Sequence, residues 1–324
     1  MGEGSGEGLW LGVPSVANRM AAITSESRPT DRAIGWLQGQ LPKIVLSPSL
    51  AAILLFVYGF ILWTIFLSFS RSKILPVYKF AGLDAYERLW SQPNWYVALE
   101  NLAIYGVLYI GLCCALGLLL AILLDQRIRI EGGLRPIYLY PMALSFIVTG
   151  TAWKWFLNPG LGIEKVMHDW GWTSFTFDWL VNPDMAIYTV VIAAIWQSSG
   201  FVMAMFLAGL RGIDNELIRA AQIDGASSFN LYRRIIIPQL RPAFLSAVIV
   251  LAHMAIKSYD LVIALTGGGP GNATELPATF MYSYTFTRNQ MAVGGASAVI
   301  MLMTISAIIV PYLYSELKEG GRGR

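Results

Sequence analysis

The sequence predicts an all-α protein, a polytopic membrane helix bundle with six transmembrane helices and both termini on the cytoplasmic side. Three observations predict it. Of 324 residues, 56% are hydrophobic and 13% charged, about half the roughly 25% charged share of a soluble domain. The charges are segregated, so that five stretches of 18 or more residues carry none. The Lys and Arg residues between those stretches divide unevenly between the two sides of the bilayer.

The spans are read from charge to charge. Lys43 to Arg71 encloses 27 uncharged residues, Glu100 to Asp125 encloses 24, and Arg135 to Lys154 encloses 18. Asp184 to Arg211 encloses 26 and Arg288 to Glu316 encloses 27. All approach or exceed the roughly 20 residues that a helix needs to cross hydrocarbon. A further span runs from Pro242 to Leu265 and contains Lys257 and Asp260; without it, Arg211 to Arg288 would be one long, mostly apolar loop.

With both ends inside, the cytoplasmic segments hold 15 Lys and Arg and the outside segments seven, leaving Lys257 within the bilayer. That imbalance sets the orientation. Residues 1–43, rich in Gly and Ser and lacking a signal-peptide core, read as a flexible cytoplasmic tail. The first helix is placed at 44–70, an extracytoplasmic loop at 71–98, and a second cytoplasmic tail at 316–324.

Several chemistries are excluded. A net charge of +3 with scattered basic residues offers no footprint for nucleic acid. No Gly-Lys dipeptide occurs, so there is no phosphate-cradling loop of the G-x-x-x-x-G-K-[ST] kind. His168 and His253 are far apart, and Cys113 and Cys114 are adjacent in an apolar run, so neither a metal site nor a disulfide is expected. Gly267 to Gly271 lacks a following Lys and contains Pro270, which makes it a turn.

The informative stretch lies on the cytoplasmic side, from Asp214 to Ala226. Asp214 or Asn215 can cap a short helix, Glu216 suits its first turn, and Gly225 suits the left-handed residue that ends it. Leu217, Ala220, Ala221 and Asp224 are spaced to share one side, where small residues admit another protein's backbone. Ser227 or Ser228 can cap a second helix, bent by Pro238 and Pro242 into the next span.

The run Glu216-Leu217-Ile218-Arg219-Ala220-Ala221-Gln222-Ile223-Asp224-Gly225-Ala226, followed by Arg233-Arg234-Ile235-Ile236-Ile237-Pro238, resembles the cytoplasmic EAA loop of ABC importer permeases. Leu265 to Pro270 is similar to the T-G-G-G-P turn of the carbohydrate-uptake branch related to maltose, glycerol-3-phosphate and glucose/mannose permeases. Arg135-Pro136 to Trp153 is similar to that branch's helix ending in tryptophan. The resemblance covers Glu100 to Tyr314 and implies a type I ABC importer permease fold, with a core permease domain over 99–315 and a coupling loop over 211–241. The chain departs from the family at Arg219, which stands where the family has its name-giving glutamate.

The resemblance further implies a second homologous permease, two ATPase subunits and an extracytoplasmic sugar-binding protein as partners in the bacterial inner membrane. ATP and Mg would be used by the ATPase, with no cofactor on this chain and no enzymatic activity of its own. The coupling residues would be Glu216, Arg219, Ala220, Ala221, Asp224, Gly225 and Ala226. The second outside loop is too short for the inserted domain of maltose permeases, which disfavours maltose; a monosaccharide such as glucose or mannose is the expected cargo, with glycerol phosphate left open.

Polar groups at membrane depth mark the candidate substrate path. Trp196, Gln197 and Ser198 lie near the middle of the fourth span, where an indole and an amide suit a sugar or, equally, helix packing. Lys257 and Asp260, three apart on the fifth helix beside Tyr259, are expected to share a face and pair across a wet cavity. The same pair supports an alternative reading as the coupling site of an ion-driven secondary transporter.

Overall fold

The computed structural model describes residues 43, 45–126 and 131–320. Among them helix is the regular structure, joined by turns and loops, with one isolated bridge between Ser70 and Phe80. α1 is Val45–Ser68, interrupted by a π-helical turn at Leu54–Tyr58. Its apolar side chains are largely exposed, as a lipid-facing helix requires. α2, Asp84–Trp90, carries Asp84 and Glu87 in its first turn, where they complement the helix dipole. α3, Pro93–Asp125, starts with proline at a position where no N–H is needed.

Next come α4, Glu131–Ala143, and α5, Phe146–Phe156, followed by the short α6, Ile163–Asp169, and the long α7, Ala186–Arg211. α8, Asn215–Ile223, and α9, Ser228–Gln239, lead into α10, Arg241–Ile256, which is bent 63° from α9. α11, Asp260–Leu265, α12, Pro277–Tyr282, and α13, Met291–Gly320, complete the chain. Among the described residues, four helices are long and apolar enough to cross a membrane: α1, α3, α7 and α13 over Met291–Tyr312. The bent pair of α9 and α10 provides a fifth if it is one span.

Two stretches expected to be single helices are divided. Between Arg135 and Lys154 the chain breaks at Leu144-Ser145: Pro141 removes a backbone donor near the end of α4, and Ser145 caps α5 by accepting from the Val148 N–H at 3.3 Å. Between Pro242 and Leu265 the break spans residues 257–259, which places Lys257 and Asp260 on either side of it. They therefore do not share one helical face, and no salt bridge joins them, whereas Arg71 and Arg88 both pair with Asp84. Two boundaries also differ from expectation. α3 begins at Pro93, inside the loop expected over 71–98, and α13 continues to Gly320 through the expected tail. The expected amino-terminal tail up to residue 42 and residues 321–324 lie outside the described residues.

α3 and α7 make the most extensive helix pair. They approach closely because Gly117 has no side chain: a Cβ there would sit 2.7 Å from Val202 Cγ1 and 3.0 Å from the Met203 nitrogen. Gly200 does the same for α4 against α7, where a Cβ would collide with the Tyr138 carbonyl oxygen. The core around this contact includes Tyr109, Cys113, Met203, Phe206 and Leu251. A second cluster joins α2, the start of α3, α12 and the start of α13 through Leu89, Trp95, Phe280, Tyr284 and Ala296.

The glycine turn after α11 is tied to α3. Asn101 Nδ2 donates to the carbonyls of Ala273 at 2.9 Å and Glu275 at 3.0 Å, and the Thr266 and Thr274 hydroxyls lie 2.7 Å apart. Glu275 is itself buried, with Oε2 unpartnered. Burial pushes its carboxyl up to about 7, against the opposing pull of Arg288 and of a hydrogen bond from Asn94.

Two outcomes follow. Gly200→Val forces α4 from α7 and lowers the melting midpoint in detergent, at an overpacking cost of roughly 1–3 kcal/mol. Gly111→Ala, where a Cβ meets nothing within 4 Å, leaves that midpoint unchanged or raises it. The native state also keeps a proton on Glu275 that the unfolded chain, with an ordinary carboxyl, releases. This contribution to stability is complete below the unfolded pKa and is lost as pH rises to about 7. Melting midpoints measured across that window fall with pH in the parent and flatten in Glu275→Gln.

Candidate functional site

The segment between α7 and α10 is built as a rigid projection. Asp214 caps α8 by accepting from the Glu216 N–H at 2.8 Å. Gly225 closes the helix at φ +80°, a conformation in which a Cβ is disfavoured, and the Ala226 N–H donates back to the Ala221 carbonyl at 3.0 Å. Ser227 then caps α9 through the Asn230 N–H at 3.4 Å. Inward, Ala221, Leu231 and Ile236 enter the core shared by α3 and α7, and Gln126 Nε2 donates to the Tyr232 hydroxyl at 3.1 Å.

The outward surface differs from the one that spacing predicts. Ala221 turns into the chain's own core, whereas Glu216, Arg219, Ala220 and Asp224 stay exposed. Ile223 is 86% and Phe229 71% exposed, on either side of the Gly225 turn. Two large apolar side chains held outward by a capped helix make a surface suited to burial against another protein. The sequence does carry a signal for them, since Ile223 and Phe229 flank the polar Asp224 to Ser228 turn; of the stripe that spacing predicts, Leu217, Ala220 and Asp224 are exposed and Ala221 turns inward.

The second arrangement lies at the break between α10 and α11. A cavity of about 260 Å³ is lined there by Lys257, Ser258, Tyr259 and Asp260, together with Tyr105 and Tyr109 of α3. The two tyrosine rings stack 5.3 Å apart with planes 4° from parallel. Tyr109 donates to Ser198 Oγ at 2.7 Å and Tyr105 to Ser258 Oγ at 3.4 Å. Tyr259 packs on Tyr282 at 4.8 Å between ring centroids. Sequence reasoning missed Tyr105, Tyr109 and Ser258. The available signal was two tyrosines at i and i+4 in a strongly apolar span, which places both hydroxyls on one face.

The residues proposed around Trp196 separate. Ser198 does not line the cavity but accepts from Tyr109, which does. Gln197 is buried, and its Nε2 donates at 2.9 Å to the Leu144 carbonyl freed by the break between α4 and α5. Trp196 is 41% exposed, packs edge-on against Trp153, and lines a different, apolar cavity of about 330 Å³. Cys113 and Cys114 are free and buried. His168 Nε2 contacts the Phe175 carbonyl at 2.7 Å, and His253 is exposed on α10. Among the described residues no group of three or more His, Cys, Asp or Glu is arranged to hold a metal.

Comparison with known proteins bears on this arrangement. Residues 114–319 match the family described as binding-protein-dependent transport system inner membrane component. A probable ABC transporter permease protein of Pyrococcus horikoshii is 42% identical, over 86% of this chain and 97% of that one. The xylose/arabinose import permease protein XacH of Haloferax volcanii is 38% identical, over 82% and 84%. Among solved structures, a chain of a bacterial ABC transporter involved in the import of the acidic polysaccharide alginate superposes with a TM-score of 0.76 at 18% identity, over 89% of this chain and 99% of that one. That likeness establishes the fold as that of a type I ABC importer permease. The chain thus belongs to the family of inner membrane components of binding-protein-dependent transport systems, as a multi-pass ABC permease.

Proposed function

We propose that this chain is the permease subunit of an ATP-driven sugar importer, in which α8 and the Gly225 turn couple the ATPase to alternating access. One observation carries the reading: α8 is capped at both ends and rooted in the bundle core, and Ile223 at its end and Phe229 at the start of α9 face outward. A rigid projection transmits a push, whereas a flexible loop would absorb it. ATP and Mg act in two separate ATPase subunits, and closure of that pair drives the projection and shifts the bundle between inward- and outward-open states. In this reading Glu216, Arg219, Ala220, Asp224 and Ala226 surround the contact, and Ala221 anchors the lever. A second permease and an extracytoplasmic binding protein complete the assembly. The family's dependence on a binding protein supports a gradient-independent cycle over ion coupling through Lys257 and Asp260, which form no pair.

The topology proposed is six crossings with both ends cytoplasmic, the third formed by α4 and α5 and the fifth by α10 and α11. The distribution of Lys and Arg supports the orientation. Irregular backbone at membrane depth is tolerated where it lines a protein or water cavity, which supports the break at 257–259 as part of the path. Stacked tyrosines, hydroxyls and the two ionisable groups there suit a polyhydroxylated ligand. A cavity of about 260 Å³ lies just below the roughly 300–1,000 Å³ of pockets for drug-sized molecules. That size, and a relative named for xylose and arabinose, support a monosaccharide; the proposal extends to hexoses such as glucose and mannose.

Gly225→Trp leaves the chain in the membrane but abolishes co-purification of the ATPase and sugar uptake, while retaining the second permease. Normal uptake by this variant would remove α8 from the coupling role. For the path, Lys257→Met with Asp260→Leu, and separately Tyr105→Phe, reduce uptake in reconstituted vesicles about tenfold or more, equivalent to ~1.4 kcal/mol. ATPase co-purification stays intact. Uptake unchanged in both variants would move the path elsewhere.

A further inference from the structure

One cavity takes no part in this transport scheme, and it lies where three apolar spans end. α1 finishes at Ser68, α3 begins at Pro93 and α13 begins at Met291. The residues just outside these ends enclose a cavity of about 510 Å³. Its wall carries four cations, Arg71, Lys73, Arg88 and Arg288, and one carboxylate, Asp84. Asp84 is shared by Arg88 and, at 3.9 Å, Arg71, so the wall keeps a large excess of positive charge. Glu275 acts on Arg288 electrostatically but does not line the cavity.

The backbone that carries two of the cations is fixed, and Arg288 is fixed by contacts of its own side chain. The loop bearing Arg71 and Lys73 is pinned to the start of α13, where the Ala292 N–H donates to the Ser72 carbonyl at 3.0 Å and the Met291 N–H to the Lys73 carbonyl at 3.2 Å. Arg288 lies 4.5 Å over the Tyr284 ring and donates to its hydroxyl at 2.8 Å, and that hydroxyl donates to Gln92 at 2.8 Å. A preorganised cluster of guanidinium and ammonium groups selects phosphate oxygens. The level at which the cluster sits selects the source. Three apolar spans reaching their ends beside it set the depth of the lipid headgroups, and the exposed Tyr78, Trp90 and Tyr96 nearby in sequence are the aromatic residues found at that depth.

We propose that this cavity binds the phosphodiester headgroup of an anionic phospholipid, with Arg71, Lys73 and Arg288 directed at the phosphate. The assignment is independent of which side of the membrane the cavity occupies and of the cargo.

The test uses the full chain in nanodiscs of phosphatidylglycerol or phosphatidylcholine, with retained lipid counted by native mass spectrometry after transfer to mild detergent. Phosphatidylglycerol is retained in preference to phosphatidylcholine. Arg71→Gln with Lys73→Gln weakens that retention about 25-fold, at roughly fivefold per cation. Asp84→Asn strengthens retention, a gain that misfolding cannot produce. The proposal is overturned if the wild type does not discriminate between the two lipids, or if the double variant retains phosphatidylglycerol as the wild type does. Displacement of the lipid by millimolar inorganic phosphate would reassign the cavity to a free anion. A fall in binding-protein affinity with unchanged lipid retention would reassign it to an acidic protein surface.

Discussion

Every backbone N–H and C=O at bilayer depth needs a partner from within the protein or from water that the protein admits. That constraint governs where this chain can depart from helix. It does so in two places within its apolar stretches, at Leu144-Ser145 and at 257–259, and each has its own solution. At the first, Gln197 of α7 reaches across to the Leu144 carbonyl. At the second, the break opens on a cavity with the side chains of Ser258, Lys257 and Asp260 around it. At one break the freed carbonyl is satisfied by protein; the other is the place that the proposed path assigns to water and a hydroxylated cargo.

The sealed break and the close contacts of Gly117 and Gly200 make α3, α4 and α7 one packed body. Because α8 and α9 are rooted in that same core through Ala221, Leu231 and Ile236, a displacement at the Gly225 turn reaches the bundle without an intervening hinge. Tyr109 on α3 bonds to Ser198 on α7, beside the cavity at the other break. The Gly225 turn and the cavity at 257–259 are thus joined through a contiguous set of buried contacts, which is the route that the proposed coupling takes.

Much of this is legible in the sequence because the forces that decide it are local and compositional. Uncharged length marks four continuous spans, and capping chemistry places Gly225 and narrows the caps to Asp214 or Asn215 and Ser227 or Ser228, of which the structure uses Asp214 and Ser227. The breaks are not legible. An uncharged stretch looks the same whether or not a proline and a capping serine divide it, and the loss of the Lys257–Asp260 pair depends on where α10 stops. Periodicity sets the small face of α8 outward, but the neighbouring core claims Ala221 and leaves Ile223 exposed. Gln197 reads as a polar group near the path. Its actual partner is a carbonyl 53 positions away, which no local pattern reveals.

The central claim, that the break at 257–259 faces water within the bundle, is tested most directly by thiol accessibility. In a background with Cys113 and Cys114 replaced by alanine, Ser258→Cys and Val107→Cys are exposed in membrane vesicles to a charged, water-soluble maleimide. Val107 is 72% exposed on the apolar surface of α3 and should face lipid. The account predicts labelling at Ser258→Cys that slows when the transported sugar is added, and none at Val107→Cys. Equal labelling at both positions, or none at Ser258→Cys in any state of the transport cycle, would contradict it.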